Sequence, residues 1–205
     1  MNLPQILVAT LRPLPARRHA RVEADAAAGA RAVRMLDGFV MQRQERDQWC
    51  WAAVAVSIAT FYDRATRWSS QCAVANSHLQ RTDCCGGTSL CNEANFVEYV
   101  LQTIGLYKHW HNGTKSFDDV CAQIDAGNPV VCRIAWHGGG GHFVVITGYD
   151  RGNETVVVDD PLFNRSTLAY DVLCNAYLGM GRWADTSETT PPPRESRKRR
   201  AVGHR

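Results

Sequence analysis

The sequence predicts an α+β fold with helices in its first half and an antiparallel sheet in its second. Apolar side chains recur at helical spacing in residues 49–62 and 92–104, whereas residues 130–136, 143–149 and 155–159 are short runs rich in β-branched and aromatic residues. Because the helices precede the strands instead of alternating with them, we expect two packed parts with a cleft between them.

The predicted helices have recognisable ends. Residues 49–62 form an apolar segment that is too short to cross a bilayer, so it predicts a helix of the protein core. The second helix ends where Gly105 follows the last apolar residue, as a C-terminal cap does. Ser116, with Asp119 three residues later, has the pattern of a capping box and predicts a third helix that stops at residues 127–129.

Composition divides the chain into a domain at residues 39–185 and two extensions. Residues 1–38 contain three prolines, six arginines and few large apolar side chains, which favours a flexible leader or linker over a targeting or pro-segment, and no standard secretory signal is recognisable. Residues 186–205 predict a disordered basic tail, since the last twelve residues carry a charge of +5. The rest of the chain carries about −2, so we expect no nucleic-acid footprint.

Four of the eight cysteines fall within twenty residues, at Cys72, Cys84, Cys85 and Cys91. This density is typical of a disulfide-linked loop, although the sequence leaves three pairings open. A structural zinc site is the alternative, but the spacing lacks the paired C-x2-C motifs that usually present zinc ligands. Disulfides would indicate an oxidising compartment, which, without a standard signal, requires a specialised secretion route.

Cys50 has the surroundings of a thiol nucleophile. It begins the first predicted helix, whose unpaired N–H groups and positive dipole end would favour the thiolate over the thiol. Gln44, six residues upstream, carries an amide that could hold the oxyanion formed when the thiolate attacks an acyl group. A lone cysteine at the start of an apolar helix is more often a small buried side chain, so the prediction depends on finding a base.

His142 is the best candidate for that base among the seven histidines. It follows the four glycines of residues 138–141 and opens a predicted strand, so a rigid sheet would hold its ring beside backbone that leaves room for a substrate. His137 lies before the glycines, where it would be less firmly held. The other histidines fall in the extensions, in the cysteine-rich stretch, or in a predicted connection at residues 109–111.

The residue that orients the imidazole is expected on the neighbouring strand, where Asp159 and Asp160 end a run of valines. Successive side chains of a strand point to opposite faces. If Val156 and Val158 face the core, Asp160 shares their inward side and Asp159 points outward. A buried carboxylate needs a partner such as an imidazole N–H, and this favours Asp160.

Gln44, Cys50-Trp51, Gly141-His142-Phe143 and Asp160-Pro161 occur in the order found in papain-like cysteine peptidases, which this chain resembles. Over residues 42–185 it is similar more narrowly to the bacterial avirulence-protease branch, which comprises secreted effectors related to staphopains. The residues behind this narrower resemblance are the segment 48–53, Gln71-Cys72, Ala75-Asn76, Cys84-Cys85 and Cys91-Asn92.

The resemblance implies a papain-like two-lobed fold, with Cys50 on an N-terminal helical lobe and with His142 and Asp160 on a C-terminal half-barrel sheet lobe. The active site lies between the lobes. Two residues depart from the plant and animal papains, which usually have Asn where this chain has Asp160 and a shielding Trp where it has Leu162. An Asp in the third position is familiar in the bacterial branch.

The resemblance also implies the chemistry of an endopeptidase without metal or organic cofactor. Cys50 is the expected nucleophile, His142 the acid/base, Asp160 the orienting group and Gln44 the oxyanion donor. We expect a protein substrate, a monomer, no nucleic-acid or membrane partner, and secretion from a bacterium with delivery into a host or neighbouring cell. The alternatives are acyl transfer or deamidation of glutamine, as in transglutaminase-like enzymes, and a catalytically inactive binding module of the same fold.

Overall fold

The computed structural model describes residues 32–193. In this range the helices are α1 (Cys50–Tyr62), α2 (Gln71–Leu79), α3 (Val97–Ile104), α4 (Phe117–Asp125) and α5 (Tyr170–Asn175). The strands are β1 (Val33–Met35), β2 (Tyr107–Asn112), β3 (Val130–Trp136), β4 (Gly141–Asp150), β5 (Thr155–Asp160), β6 (Asn164–Ala169) and β7 (Gly181–Thr189). Two single-turn 3-10 helices, Cys84–Gly86 and Ser89–Cys91, lie between α2 and α3.

Helix α1 is the centre of the helical lobe. Its residues from Trp51 to Ala59 are all buried, because α2, α3 and β4 all pack on it. A helix that is apolar on every face is stable only inside a core. The contact between α1 and β4 joins the two lobes and brings the N-terminal end of α1 to the sheet.

The sheet is antiparallel throughout, with the strand order β2-β7-β3-β4-β5-β6. Strand β1 pairs with the last residues of β4, where Met35 lies opposite Gly148. A Cβ atom on Gly148 would lie 2.8 Å from the carbonyl oxygen of Arg34, so only glycine allows this approach. Helix α4 packs on β4, and α5 packs on β7 and β6.

The α+β prediction is confirmed, as a helical lobe precedes an antiparallel sheet. The predicted strand at residues 130–136 and the Ser116 cap are observed, with the Ser116 hydroxyl accepting the Asp119 N–H at 3.1 Å. None of the helices in residues 32–193 is long and apolar enough to span a membrane.

Four segments differ from the prediction. The helix expected from residue 92 begins only at Val97. Residues 92 and 93 instead accept hydrogen bonds, from the Gln48 N–H before α1 and from the Trp51 indole of α1. Residues 109–111, expected to lie in a connection, belong to β2. Residues 186–189, expected to begin a tail, complete β7 and are buried, and residues 33–36 of the expected leader pair with β4. The remainder of both predicted extensions, residues 1–31 and 194–205, lies outside the described residues.

Candidate active site

Cys50 is the first residue of α1 and is half-buried at the edge of a cleft between the lobes. The first hydrogen bond of the helix joins the Ala53 N–H to the Trp49 carbonyl, and no side chain of the described residues caps the N–H groups before it. The sulfur therefore lies at a helix terminus that has uncompensated donors, which is an environment that stabilises negative charge.

His142 and Asp160 come together from the sheet lobe. The Nε2 atom of His142, near the start of β4, lies 2.8 Å from Oδ1 of Asp160, the last residue of β5. The Cys50 thiol lies close enough to the imidazole to raise the pKa of His142. His142 is 5% exposed, and the Asp160 side chain has no exposed surface. The structure thus brings the three predicted residues together at the cleft, in a row in which His142 bonds to Asp160 and lies near Cys50.

The surroundings of His142 and Asp160 favour the charged forms of both side chains. Burial lowers the pKa of His142, but hydrogen bonds and negative charge from Asp160 and Cys50 outweigh it and raise that pKa to about 9. Burial raises the pKa of Asp160, but the His142 bond and charge and two backbone N–H groups outweigh it, so the pKa lies below its ordinary value. At neutral pH the pair is therefore an imidazolium beside a carboxylate.

Asp159 and Asp160 point to opposite faces of the strand, as alternation predicts, but both are buried. Asp159 accepts the Thr147 hydroxyl at 2.6 Å and is paired with the Arg165 guanidinium at 3.0 Å. The expectation that Asp159 points outward is therefore wrong in one respect, because the face it occupies is covered. Arg165, on β6, is the charged partner of this second carboxylate.

Gln44 lies in the cleft with Cys50, but its amide is engaged with backbone. The Nε2 atom donates to the carbonyl oxygens of Arg46 and Asp47 at 3.1 and 3.0 Å, and Oε1 is buried without a partner among the described residues. Its own N–H donates to the Pro161 carbonyl at 2.9 Å, which ties this segment to the end of β5.

The buried side chain of Gln71, at the start of α2, fixes the backbone on both sides of Gln44. Its Nε2 donates to the Arg43 carbonyl at 2.8 Å, and its Oε1 accepts the Glu45 N–H at 3.0 Å. Sequence reasoning connected Gln71 only with the family resemblance. Because Gln71 bonds to the residues on either side of Gln44, it helps to hold the candidate oxyanion donor in position.

The cleft between the lobes has a volume of about 1160 Å³. Its helical side includes Cys50, Gln44 and Phe96, and its sheet side includes His142 and the glycines of residues 138–141. Four of its apolar lining residues are exposed by 37–55%, namely Phe96, Leu162, Phe163 and Met180. An open groove with an apolar rim beside a thiol is suited to an extended chain with apolar side chains.

Residues 36–191 match the model of the Peptidase_C39 like family. The chain belongs to this family. The match covers the helical lobe, the strands β2 to β7 and all four predicted site residues. The chain is therefore a cysteine peptidase of papain-like fold, as the sequence predicts. The narrower assignment to the avirulence branch stays a prediction.

Two solved structures are similar to this C39-like chain at low identity. Xylellain, a cysteine protease from Xylella fastidiosa, is 12% identical with a TM-score of 0.49, and the match covers 80% of this chain and 89% of that one. A double glycine motif protease from an AMS/PCAT transporter, in complex with the leader peptide, is 12% identical with a TM-score of 0.44, covering 77% and 98%. No curated protein matches the chain.

In this C39-like site, aromatic rings that sequence reasoning missed surround His142. Trp136, the last residue of β3, stacks on the imidazole with ring centroids 5.8 Å apart, and Phe163 meets it edge-on at 6.2 Å. Leu162 stands where papains usually have a shielding Trp, yet Trp136 supplies an indole from another strand. The only sequence signal was a Trp beside the glycine run, which did not indicate where its ring would lie.

The cysteine-rich loop contains two disulfides, Cys72–Cys85 and Cys84–Cys91. These bonds choose one of the three open pairings and use all four thiols, so the predicted zinc alternative has no thiolates left to bind a metal. Asp83, Cys84 and Cys91 lie close enough together to resemble a metal site, but two of the three ligand atoms are joined in a disulfide.

This disulfide loop holds the segment that carries Cys50. The Trp49 indole donates to the Cys91 carbonyl at 2.6 Å, and the Trp51 indole donates to the Glu93 carbonyl at 3.0 Å. Further bonds connect the two segments through Arg46 with the Thr88 carbonyl, and through the Gln48 N–H with Asn92. The cysteine-rich loop is thus a clamp on the start of α1.

Proposed function

We propose that this C39-like protein is a cysteine endopeptidase whose triad is Cys50, His142 and Asp160. The observation that carries the proposal is the hydrogen bond from His142 to Asp160 beside Cys50, with both His142 and Cys50 lining an open cleft. Each member has the position that its role requires, with a nucleophile at a helix N-terminus, a base within reach of it and a buried carboxylate behind the base.

Acylation begins with a Cys50 thiolate beside a His142 imidazolium. The thiolate attacks the carbonyl carbon of a peptide bond, and the C–N bond breaks as His142 gives its proton to the leaving amine. Asp160 keeps the imidazole oriented through Nε2, so that the other ring nitrogen faces the sulfur and the substrate. The product of this half-reaction is a thioester on Cys50.

Deacylation uses the same groups in the opposite sense. His142 takes a proton from water, the hydroxide attacks the thioester carbonyl, and the Cys50 thiolate leaves with release of the new carboxyl terminus. In both steps the oxyanion would accept the Cys50 backbone N–H and the Gln44 amide. Gln44 can serve only if one of its hydrogens leaves the carbonyl of Arg46 or Asp47, so substrate binding must turn this amide.

The deciding experiment incubates the purified protein with casein and maps new N-termini by mass spectrometry. Cys50→Ala and His142→Ala are expected to abolish cleavage while the circular dichroism spectrum stays native. Cys174→Ser, which changes another unpaired thiol, and His137→Ala, which changes the rejected histidine, are the matched controls and should still cleave. Wild-type rates in Cys50→Ala would sink the proposal.

The same incubation separates peptidase from acyl-transfer chemistry. Hydrolysis produces new N-termini, whereas a deamidase releases ammonia and a transglutaminase incorporates an added amine. A protein that does none of these would be the inactive binding module. Gln44→Ala should lower kcat by roughly a hundredfold if its amide holds the oxyanion, and leave kcat unchanged if it only supports the loop.

We propose further that the protein works outside the bacterial cytosol, as a secreted effector or toxin. Two disulfides support this location, because such bonds persist in oxidising compartments. Comparing the N-termini of proteins in recipient cells that receive the active protein or Cys50→Ala would identify targets, and an equal set in both would exclude peptidase-dependent targets.

A further inference from the structure

A buried phenol binds the far side of the Asp160 carboxylate. Tyr177 is 1% exposed, and its hydroxyl donates to Oδ2 of Asp160 at 2.7 Å. Oδ1 accepts Nε2–H of His142 and the backbone N–H groups of Leu162 and Phe163, at 2.8, 2.6 and 2.9 Å. Three of the four donors thus bond to Oδ1, and the Tyr177 hydroxyl is the one donor among the described residues that bonds to Oδ2. Because the Asp160 side chain has no exposed surface, bulk water has no access to replace the phenol.

The backbone around Tyr177 is fixed by a tight turn between α5 and β7. Leu178 and Gly179 both have positive φ, of 51° and 69°, and the N–H groups of Met180 and Gly181 donate to the Tyr177 carbonyl at 3.0 and 3.1 Å. The phenol ring lies against the Trp136 indole, with centroids 6.3 Å apart and an angle of 27°. The turn therefore fixes the backbone of Tyr177, and the Trp136 indole fixes its ring.

Trp136 forms a second connection between Tyr177 and His142. Its indole contacts both the Tyr177 phenol and the His142 imidazole, while Asp160 bonds to both of the same residues. A shift of the Tyr177 phenol would therefore move the His142 imidazole in two ways, through the Asp160 carboxylate and through the Trp136 indole. Tyr177 lines neither the cleft nor the space next to Cys50, so its effect on the reaction must pass through its neighbours.

We propose that Tyr177 is a positioning residue of the peptidase, whose hydroxyl keeps the Asp160 carboxylate ionised and turned so that Oδ1 faces His142. The catalytic purpose of this geometry rests on the proposed function, whereas the effect of Tyr177 on Asp160 does not. Nothing in the sequence connects the two residues, because Tyr177 follows a short helix that periodicity did not predict.

The ionisable groups around Asp160 leave the phenol as an uncharged donor. His142 faces Asp160 from β4, and Cys132 of β3 lies near Tyr177 but is fully buried, which raises the pKa of its thiol well above the ordinary value. Burial and the Asp160 charge raise the pKa of Tyr177 above its ordinary value as well, so the hydroxyl keeps its proton. Behind Asp160, Arg43, Asp159 and Arg165 line a cavity of about 320 Å³, and Asp159 and Arg165 neutralise each other.

Tyr177→Phe removes one hydroxyl and leaves Oδ2 buried without a donor. The ionised carboxylate then becomes less stable relative to its protonated form, so the pKa of Asp160 should rise by about one unit. Since the imidazolium depends on that carboxylate, the acid limb of the pH profile of kcat/KM should move up by the same amount. A purely structural role would lower Tm without moving this limb.

Carbon-13 NMR of the Asp160 carboxyl tests the proposal without need of activity. The titration compares Cys50→Ala with Cys50→Ala/Tyr177→Phe, and Cys50→Ala/Tyr170→Phe is the matched control, because Tyr170 donates to the Lys115 carbonyl and not to Asp160. Incorporation of 3-fluorotyrosine at position 177 keeps the hydroxyl and makes it a stronger donor, so it should move the Asp160 pKa downward. This second variant tests the proposal even if Tyr177→Phe folds poorly.

The outcomes separate the two hypotheses. An Asp160 pKa that rises only in the Tyr177→Phe protein supports the positioning role, even if the wild-type protein cleaves nothing and the proposed function fails. An Asp160 pKa that stays within about 0.2 units of its original value in the Tyr177 variants, or that moves equally with Tyr170→Phe, overturns the positioning role, even in an active peptidase.

Discussion

The Trp136 indole lies nearly parallel to the His142 imidazole, with an angle of 19° between the rings. With Phe163 at the edge of the imidazole, this stacking covers the hydrogen bond from His142 to Asp160, and the histidine keeps only 5% of its surface exposed. Inside such a poorly hydrated site, the attraction between an imidazolium and a carboxylate is stronger than in water. The pH dependence of the enzyme should follow from this pair.

Cleavage should persist to unusually alkaline pH. The imidazolium form of His142 is present below its pKa of about 9, and the carboxylate form of Asp160 is present above its lowered pKa. The active pair is therefore lost as pH rises through about 9 or falls through the Asp160 pKa. The pH profile of kcat/KM with a fluorescent casein measures both limits. Asp160→Asn should move the alkaline limit to lower pH, and an alkaline limit near pH 6.5, the ordinary pKa of histidine, in the wild-type protein would contradict the pairing.

Substitution of the two neighbouring carboxylates, Asp160 and Asp159, should have different effects, the first on activity and the second on stability. Asp160→Asn keeps a weaker acceptor for His142, so kcat/KM should fall roughly tenfold. Asp159→Asn leaves Arg165 without its charged partner and should lower the free energy of unfolding by about 1–3 kcal/mol, since Arg165 remains partly in water. Its kcat/KM should stay within about twofold of wild type. Urea unfolding and steady-state kinetics on both variants check this, and an equal loss of kcat/KM in the Asp159 variant would show that the wrong carboxylate was chosen.

Much of the site was predictable because its residues sit where local patterns change. Cys50 starts an apolar helix, His142 follows four glycines, and Asp160 ends a run of valines. Alternation along β5 correctly separated Asp160 from Asp159. Alternation could not show that both faces of β5 are covered. The Asp159 side is covered by Arg165, which lies on β6, a strand of mostly polar residues that gives no sign of burial.

Strand β7 shows why the remainder was not predictable. Its residues 185–189 are polar, yet they are buried between β2 and β3. Pairing on both edges satisfies the backbone, while Arg133 neutralises Asp185, and Lys108 and Lys115 neutralise Glu188. These partners are distant in sequence, so residues 186–189 of this polar segment, next to a proline-rich stretch, were interpreted as the beginning of a tail. The same dependence on distant partners hid Tyr177 and Trp136.

The disulfide clamp should couple oxidation state to activity. Cys84→Ser/Cys91→Ser opens the loop whose carbonyls hold the Trp49 indole and the Arg46 guanidinium, so the start of α1 should lose order. We expect a loss of about 2–4 kcal/mol in unfolding free energy and a fall in kcat. Calorimetry and casein cleavage under mild reductant provide the measurements. Cys174→Ser is the control, and wild-type values in the double variant would refute the coupling.

Gly181→Ala should disturb the histidine from the neighbouring strand. Gly181 lies opposite Trp136, and an added Cβ would come within 2.6 Å of the indole and 2.8 Å of the Ala135 carbonyl oxygen. Because the carbonyl belongs to the backbone, the strands must shift and the indole must leave its place over His142. We expect a loss of about 1–3 kcal/mol in stability and a lower kcat. Gly86→Ala is the control, since its Cβ would meet no atom within 4 Å. In a Trp136→Ala background the Gly181 substitution should cost less, and an undiminished cost there would show that the indole is not what the new methyl group displaces.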